Sequence, residues 1–508
     1  MSKTNEKGVA LILTLILLAV LSVMAVSLLF MARAETWSGM NYRMMTQARY
    51  GAEAGVNKAA NFLQSTSYTA PTAAQITTNF TTTSSPVLYG GSPAALSANS
   101  SLGSSNYPIS SDTTGFASGA TGSLATGNAT VNYAAYAKLL AVQSFTGYPS
   151  ATSAVVEKWE ITSDGTISGV RNAQVRVSAI MERQKSPTFA YAAFATGAGC
   201  SAMSFGGGGS TDSYDSASIT YSGGNVVTQS YGGNVGTNGN LSESGSKTTI
   251  NGSLSTPRAG TGTCTTSAVT ALTTNGNATV SGGITELPQA VTYTTPADPT
   301  PAPPSTSMTI HNTADCTGIP SCTTSSGKNP TETYITAGAT SSTATALGNL
   351  TIKGNLHLVP PAGTAAGSIV YINAYSLTSN GNPNIYIDPI PGTSPAQYAQ
   401  IVLDVASAGT IDLTGSSLSN PSLIPANFQI LYGGTNQITI NGGTQTASLI
   451  YAPNAPFKLN GGGNLYGAVV AGQITDLGGG AIHYDRELQK EFYQLGPYML
   501  SAFNWQKY

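Results

Sequence analysis

Residues 9–64 decide the fold of this 508-residue chain, and they read VALILTLILLAVLSVMAVSLLFMARAETWSGMNYRMMTQARYGAEAGVNKAANFLQ. The first part, 9–32, carries no charged side chain. At ~1.5 Å per residue, an apolar helix of this length spans the hydrocarbon core of a bilayer. The remainder contains no proline and is rich in good helix formers. The pattern therefore predicts one continuous helix over 9–64, half in lipid and half outside.

The outer half of this helix has an apolar face that predicts contact with a folded head. Residues at spacings of three or four form this face: Tyr42, Met45, Arg49, Ala52, Val56, Ala59, Ala60 and Leu63. Gly39, Gly51 and Gly55 each weaken the helix by ~1 kcal/mol, and they allow close backbone approach or bending.

Two other interpretations of the apolar segment stay open. The tripeptide Ala32-Arg33-Ala34 offers a signal-peptidase site that would release a chain beginning at Glu35. A plain signal anchor would leave the segment uncleaved. The apolar run is longer than the roughly 7 to 15 residues of an ordinary secretory signal, which favours a retained helix.

The sequence around this helix resembles a known family. Lys7-Gly8 before a long apolar helix is similar to a class III prepilin leader, which would comprise residues 1–8. Gln47-Ala-Arg-Tyr-Gly-Ala-Glu-Ala-Gly55 is similar to the segment that follows the membrane helix in PilX-type minor pilins of type IV pili. The motif residues are Gln47, Tyr50, Ala52, Glu53, Ala54 and Gly55. The resemblance implies cleavage by prepilin peptidase between Gly8 and Val9, methylation of Val9, and assembly with other pilins and minor pilins.

One position departs from the family pattern. Leu13 stands fifth in the processed chain, where most pilins carry glutamate. Pilins without this glutamate occur among minor and tip-type subunits, so the departure points away from a major pilin. The resemblance also implies a single pass through the bacterial inner membrane, with the later domains outside the cytoplasm and then on a pilus or the cell surface. The basic residues give this orientation no independent support, because two lysines precede the apolar segment and three arginines follow it closely.

The next part of the chain, 65–186, is predicted to be a pilin-like α+β head. Strand patterns occupy 129–140, 155–162 and 170–182, and a turn is predicted at Ser163-Asp-Gly165. A helix followed by an antiparallel meander is the layout of pilin heads, and Trp159–Gly165 also resembles PilX-type heads.

Residues 187–484 have short strand patterns separated by Asn-Gly corners. Thr237-Asn-Gly-Asn240 recurs at 274–277, and Ser379-Asn-Gly-Asn382 is a close variant, without a fixed period. Irregular turns of roughly 18 to 25 residues predict a right-handed parallel β-helix, with a β-sandwich as the alternative. The Pro-rich and Cys-containing segment 291–345 is predicted to be an insertion that forms a linker or protruding loop. Residues 485–508 are predicted to form a capping helix and tail.

Composition and motifs argue against several function classes. The chain holds 20 basic and 22 acidic residues, so it lacks the basic footprint of a nucleic-acid-binding protein. No nucleophile-elbow, phosphate-loop or metalloprotease motif is present, and we expect no enzymatic activity and no cofactor. Asp388, Asp404 and Asp412 are the remaining candidates for acid–base chemistry on a polysaccharide, although acids near turns more often bond solvent or backbone.

The cysteines and two acids complete the candidate sites. Cys200, Cys264, Cys316 and Cys322 all follow the apolar segment, so export predicts two disulfides. The close pair Cys316 and Cys322 would leave Cys200 with Cys264, but the other two pairings stay open. No metal site is predicted, because Asp212 and Asp215 lack an EF-hand loop and are kept only as a calcium candidate.

Two classes of function follow from these observations. The first is a minor pilin-like subunit of a type IV pilus with an assembly, tip or adhesion role, or a pseudopilin of a type II secretion-like machine. The second is a membrane-anchored enzyme with a β-helix that acts on polysaccharide. A surface or carbohydrate ligand is a further candidate partner of the head.

Overall fold

The computed structural model of the chain divides into two compact units. Unit 1 comprises Met1–Thr146, Ser153–Lys185 and Leu495–Tyr508, and unit 2 comprises Gly147–Thr152 and Ser186–Gln494. The described residues are 6–126, 129–149, 153–168, 172–223, 225–245, 247–327, 331–476 and 478–507. Parts of the predicted leader, insertion and tail, namely residues 1–5, 328–330 and Tyr508, lie outside them.

A long helix opens unit 1 and confirms the helix predicted for residues 9–64. This helix, α1, runs from Glu6 to Gln64. The elements that follow it are α2 (Ala73–Asn79), β1 (Phe80–Thr81), β2 (Leu88–Tyr89), β3 (Ser92–Pro93), β4 (Ala95–Ser97), α3 (Ser110–Gly119), β5 (Thr121–Thr126), β6 (Ala129–Thr146), β7 (Ser153–Ile167) and β8 (Ala173–Pro187). The strands β6, β7 and β8 pair antiparallel in chain order, as the sequence predicts, and β4 and β5 both pair with β6.

Helix α1 packs on the sheet through small residues. Its buried residues are Ala48, Gly51, Ala52, Gly55, Val56, Ala59, Ala60 and Leu63. The predicted face is therefore only partly right, because Tyr42 is 77% exposed and Arg49 is also exposed. Alanine and glycine let the helix axis approach the strands closely, so the contact face centres on these small residues instead of the larger ones.

Strand β7 runs straight through Ser163-Asp-Gly165, so the turn predicted there is wrong. A Cβ atom at Gly165 would overlap the backbone carbonyl of Ala48 and the backbone nitrogen of Ala52. Gly165 thus provides room for α1 to cross the strand. The close approach predicted for Gly51 and Gly55 is also present, since added Cβ atoms would meet Val131 and Ser163 of the sheet.

Unit 2 consists of short strands joined by turns. They are β9 (Ala193–Ala195), β10 (Met203–Phe205), β11 (Ser210–Tyr214), β12 (Tyr221–Ser222), β13 (Asn225–Val226), β14 (Val235–Thr237), β15 (Leu241–Ser244), β16 (Thr249–Ile250), β17 (Leu254–Thr256), β18 (Leu272–Asn275), β19 (Thr279–Val280), β20 (Ile284–Glu286), β21 (Ser307–Ile310), β22 (Cys322–Thr324), β23 (Glu332–Thr336), β24 (Thr345–Ile352), β25 (Asn355–Val359), β26 (Ile369–Ser379), β27 (Asn384–Ile387), β28 (Gln400–Val405), β29 (Ile411–Leu413), β30 (Ser417–Ser419), β31 (Phe428–Tyr432), β32 (Ile438–Asn441), β33 (Ala447–Asn460), β34 (Asn464–Asp476) and β35 (Ala481–Asp485). Short 3-10 helices occupy Ser216–Ser218, Ser341–Thr343, Pro425–Asn427 and Arg486–Lys490.

Successive turns of unit 2 stack in parallel and in register. One aliphatic column crosses the stack through Ile372, Leu403, Ile430, Ile450, Val469, Ala193, Val235, Leu254 and Ile284. The column passes from Val469 to Ala193, so a turn from early in the chain continues the stack formed by later ones. Every member is buried except Ile284, which is 39% exposed at the end of the column. This column is the core that holds the turns together.

Six of the described strands form a closed circuit in which every pairing is parallel. Strand β26 pairs with both β28 and β29. Strand β28 pairs with β31, and β29 pairs with β32. Strands β31 and β32 both pair with β33. The circuit closes because β26 and β33, with 11 and 14 residues, are long enough to pair with two strands each. Parallel pairing differs from the antiparallel pairing of a β-sandwich, the alternative considered from the sequence.

The Pro-rich part of the predicted insertion lies along the stack instead of protruding from it. Its hydrogen-bonded pairs, in chain order, are Val291 with Asn238, Thr294 with Tyr451, Asp298 with Ser407, Pro301 with Asn373, and Thr306 with Asn349. These partners belong to turns spread along the stack, so 291–306 carries the chain along its length. The rest of the predicted insertion provides β21, β22 and β23. A protruding loop is therefore wrong for 291–306, which is instead a connection that lies against the stack.

The last 24 residues also differ from the predicted capping helix and tail. Up to Lys507, only Arg486–Lys490 is helical, and Asp485 caps it by accepting a hydrogen bond from the Glu487 backbone. A final strand, β36 (Tyr493–Lys507), pairs with β8 at the edge of the unit 1 sheet. Its aromatic residues and the Gly496-Pro497 pair favour an extended edge strand over a helix. In sequence, unit 2 is thus inserted between two strands of unit 1.

Candidate functional site

The exposed part of α1 is the first candidate site. Among the described residues, one helix is long and apolar enough to cross a membrane, Gly8–Gln64, and its most apolar window has a mean hydropathy of 3.0 and no buried residue. The side chains from Val9 to Met31 are all exposed. Thr14 and Ser22 donate their hydroxyl protons to backbone carbonyls within the helix. The segment therefore presents apolar surface suited to lipid or to other apolar helices.

The predicted processing site lies at the start of this helix. Gly8 and Val9 are both helical and exposed. A Cβ atom at Gly8 would meet no other atom of the described chain within 4 Å. Packing within the chain therefore gives no reason for glycine at this position, and Leu13 is likewise 64% exposed.

The predicted helix motif is divided between two faces of α1. Ala52 and Gly55 are buried against the unit 1 sheet, whereas Tyr50 is 60% exposed. Glu53 forms an ion pair with Arg49 at 2.8 Å on the outer side. Gln47 and Ala54 lie between these faces and are half-buried.

A buried carboxyl group lies in the core of unit 1. Tyr68 donates a hydrogen bond of 2.7 Å to Glu157, and the hydroxyl groups of Tyr68 and Tyr107 are 2.8 Å apart. Only 3% of Glu157 is exposed. Burial raises the pKa of Glu157 from 4.5 to about 7, although the hydrogen bond from Tyr68 acts in the opposite direction. Near neutral pH, Glu157 is therefore partly protonated in the folded chain.

This carboxyl makes the stability of unit 1 depend on pH. Because the folded pKa is raised, its contribution to stability is fully present below pH 4.5 and is lost as the pH rises through about 7. The difference between the unfolded and folded pKa values of Glu157 corresponds to on the order of 3 kcal/mol of folding free energy. Glu157→Gln should therefore raise the unfolding temperature at pH 8 and change it little at pH 5. All three tryptophans, Trp37, Trp159 and Trp505, belong to unit 1, so tryptophan fluorescence of the full-length chain in detergent reports this melt.

The control for this experiment is Glu160→Gln. Glu160 lies on the same strand, pairs with Lys138 at 2.7 Å, and has a side chain that is 30% exposed. Its variant should melt with the unmodified chain at both pH values, because exposed pairs contribute little. Equal melting of Glu157→Gln and the unmodified chain at pH 8 would contradict the assignment of Glu157.

The cysteines of unit 2 form two disulfides. Cys200 is bonded to Cys264, and Cys316 is bonded to Cys322. This is the pairing in which the two close cysteines bond to each other. No described cysteine is free.

The two acids considered for calcium have different partners. Asp212 is hydrogen-bonded to the Nδ1 atom of His483, whose ring lies 4.6 Å from that of Tyr466. Asp215 accepts a hydrogen bond from the Ala217 backbone and lies 3.6 Å from the guanidinium of Arg486. The structure therefore does not bring their carboxylates into one shared site.

The three aspartates considered for acid–base chemistry are also engaged separately. Asp412 accepts hydrogen bonds from the backbone and side chain of Thr414, the turn role that its position favours. Burial, and to a lesser extent the charge of Asp298, raises the pKa of Asp404 to about 7. Asp388 bonds to His357. Their carboxylates therefore have different surroundings.

His357 forms a cluster that the sequence did not indicate. Its Nδ1 atom lies 2.9 Å from Asp388, and its Nε2 atom lies 3.3 Å from Glu332. Its ring stacks between Tyr334 and Tyr386, with both centroids 4.5 Å away. Burial lowers the pKa of His357, but the two carboxylates outweigh this effect and raise it above its ordinary value. Three aligned strands bring these residues together over 57 positions of sequence, from 332 to 388.

Unit 2 includes a 20-stranded sheet, to which β24 and β26 belong, and a five-stranded sheet in the order β22-β23-β25-β27-β30. Beside the His357 cluster, the turns that lead from the first sheet to the second enclose an open recess of about 490 Å³. We call it the corner recess, and its lining includes Asn312, Lys353, Gly354, Asn380, Gly381 and Asn382. The connection from β24 to β25 has only two residues, Lys353 and Gly354, whereas the next one, from β26 to β27, has four. The recess exists because a short corner lies beside longer ones. One part of the lining, Asn380-Gly-Asn382, belongs to the Asn-Gly-Asn repeat that is visible in the sequence. The short corner has no sequence pattern that would identify it.

Comparison with known proteins bears mainly on the N-terminal segment. Residues 7–57 match the PilX N-terminal family. The N-terminal segment of this chain is pilin-like. Residues 364–491 of the pilin-like chain match a domain of unknown function (DUF7305), which spans β26 to β35.

Comparison with whole proteins adds little. No curated protein matches the chain. Among solved structures, the competence-associated pilin ComZ from Thermus thermophilus aligns with 14% sequence identity and a TM-score of 0.25. The alignment covers 92% of this chain and 98% of that chain. A TM-score this low does not establish a common fold.

Proposed function

We propose that this chain is a minor subunit of a type IV pilus that enters the filament by α1 after prepilin peptidase cleaves between Gly8 and Val9. The observation that carries the proposal is the match of residues 7–57 to the PilX N-terminal family. It is supported by the division of α1 into an exposed apolar half and a half that packs on the unit 1 sheet. Before assembly, the helix holds the chain in the bacterial inner membrane, with the unit 1 sheet and unit 2 outside the cytoplasm.

The filament tip is the position that best suits this subunit. In pilin assembly, a glutamate at the fifth mature position offsets the N-terminal ammonium of the neighbouring subunit, and Leu13 has no carboxylate for this purpose. A buried unpaired charge costs several kcal/mol, roughly 3 to 5 when one partner of a buried pair is removed. A subunit with nothing above it avoids this cost.

The fold and the size of unit 2 also favour a position at the filament tip. The continuous column of aliphatic side chains and the parallel register of its turns favour a right-handed parallel β-helix as the displayed head. A head of this size is difficult to repeat along a tightly packed fibre. At a tip, it is free to contact a surface or a carbohydrate.

Immunogold labelling of intact filaments tests the tip assignment. We expect sparse label at filament ends for the unmodified chain, and label spread along the shaft for Leu13→Glu, which restores the carboxylate. Leu13→Gln is the matched control, because it is polar but uncharged, and it should stay at the ends. Dense label along the whole shaft with the unmodified chain would contradict the tip assignment. Label in the cell envelope alone would favour a secretion pseudopilin instead.

A further inference from the structure

The corner recess contains side chains with unused hydrogen-bonding capacity. The side-chain amides of Asn312, Asn380 and Asn382 are exposed and accept or donate no hydrogen bond within the part of the chain that the structure describes. By contrast, the neighbouring Asn355 is engaged, because it donates to Glu332 at 3.1 Å and accepts from the Asn384 backbone at 3.0 Å. These three side-chain amides are therefore available to hydrogen-bond a ligand.

The corner recess also differs in charge from its surroundings. Residues 186–494 hold 14 acidic and 7 basic side chains, so most of unit 2 repels anions. Lys353 has no carboxylate partner among the described residues, and its ammonium is exposed at the short corner. The nearby carboxylates of Glu332 and Asp388 are engaged by His357. The recess therefore presents one exposed ammonium that has no ion-pair partner among the described residues, beside several side-chain amides.

We propose that the corner recess binds an acidic sugar unit of an oligosaccharide. A primary amide has both donors and an acceptor, so it matches vicinal hydroxyl groups, which also donate and accept. The Lys353 ammonium would pair with the carboxylate of the same sugar as a point charge. Asn380, Asn382 and Lys353 all line the recess, so one ligand can contact all three.

Other classes of ligand fit this recess less well. A peptide or protein partner requires buried apolar or aromatic anchors, whereas this lining is formed mostly by amides, glycines and a lysine. A nucleic acid requires several cations and stacking surfaces along its backbone, and Lys353 is the one cation in the described lining. The ring of His357 is stacked between Tyr334 and Tyr386, so both of its faces are already occupied.

Gly354 holds the short corner of the recess in place. A Cβ atom there would overlap the backbone of His311, so the short corner packs directly on the preceding turn. This contact fixes Lys353 relative to Asn312, which follows His311 in the chain. The recess is therefore formed by the backbone before any ligand arrives.

Titration calorimetry of the full-length chain in detergent tests this proposal. The acidic probe is trigalacturonate, and the matched neutral probe is its methyl ester, which keeps the sugar skeleton and removes the charge. We expect trigalacturonate to bind about fivefold more tightly than the ester, the size of one exposed ion pair. Lys353→Gln should abolish this preference, and Asn382→Ala should weaken both probes by about fivefold through a lost hydrogen bond. Lys458→Gln, at an exposed lysine outside the recess, should leave both unchanged.

Several outcomes would overturn the proposal. Absence of binding by either probe would do so, as would equal binding by the unmodified chain, Lys353→Gln and Asn382→Ala. Inorganic phosphate binding as tightly as trigalacturonate would identify a simple anion site instead. Because the measurement uses the purified chain, it is independent of filament assembly, and either proposal can fail without the other.

Discussion

Gly8→Val should abolish processing of the chain and exclude it from filaments. The prepilin peptidase requires a small residue before the cleaved bond, and a β-branched side chain at this position would block it. The structure gives the substitution no other effect, since a side chain at position 8 meets no atom of the described chain. An immunoblot of cell extracts should show only the unprocessed form, and sheared filaments should lack the chain.

Gly39→Val is the matched control for Gly8→Val. Gly39 also lies on α1, and a Cβ atom added there would meet no other atom within 4 Å, but it is far from the cleavage site. This variant should be processed and assembled normally. Normal processing of Gly8→Val would contradict the proposed cleavage site, and loss of processing in Gly39→Val would show that valine perturbs the helix itself.

Gly165→Ala should destabilise unit 1 by about 3 kcal/mol, at the upper end of the range for overpacking in a core. The added methyl group would overlap the backbone of α1 at Ala48 and Ala52, and backbone atoms cannot rotate away as a side chain does. Helix α1 would have to move off β7, and the buried contacts of Val56 and Leu63 would loosen with it. Tryptophan fluorescence during denaturant unfolding measures this change.

Gly39→Ala, on helix α1, is the matched control and should change the stability in the opposite direction. Its methyl group would enter open space, so the variant should be stabilised by up to ~1 kcal/mol through helix propensity. If Gly165→Ala and the unmodified chain unfold at the same denaturant concentration, the close crossing of α1 and β7 is not as described.

The sequence predicts the parts of the chain whose structure is encoded locally. The uncharged run 9–32 and the good helix formers after it predict α1, and strand patterns predict β6, β7 and β8. Gly165 shows the limit of this reasoning. A glycine after Ser163-Asp164 has the composition of a turn, but here its lack of a side chain serves a contact with a helix more than 100 residues earlier.

The arrangement of unit 2 could not be predicted, because distant segments determine it. The pairing of Val469 with Ala193 joins residues 276 positions apart, and no local pattern marks either residue. The path of 291–306 depends on single hydrogen bonds to turns spread along the stack, which composition does not reveal. The prolines do predict an extended segment, but not the surface on which it lies.

The candidate sites also differ in whether they depend on neighbouring or on distant residues of the sequence. The predicted processing site and helix motif each consist of contiguous residues, so the sequence alone is enough to propose them. The corner recess depends on the length of one corner relative to its neighbours in the stack. Lys353 and Asn382 are 29 positions apart in sequence and become neighbours only when β24 and β26 align.

Mass spectrometry of the N-terminal peptide of the chain, isolated from purified type IV pili, tests the central claim most directly. That claim is that the pilin-like helix is processed and enters a filament. We expect a peptide that begins at Val9, carries a methyl group on its α-amino nitrogen, and is recovered with the other pilins. A mature chain that begins at Glu35, or one that is recovered from membranes and is absent from purified pili, would contradict the claim.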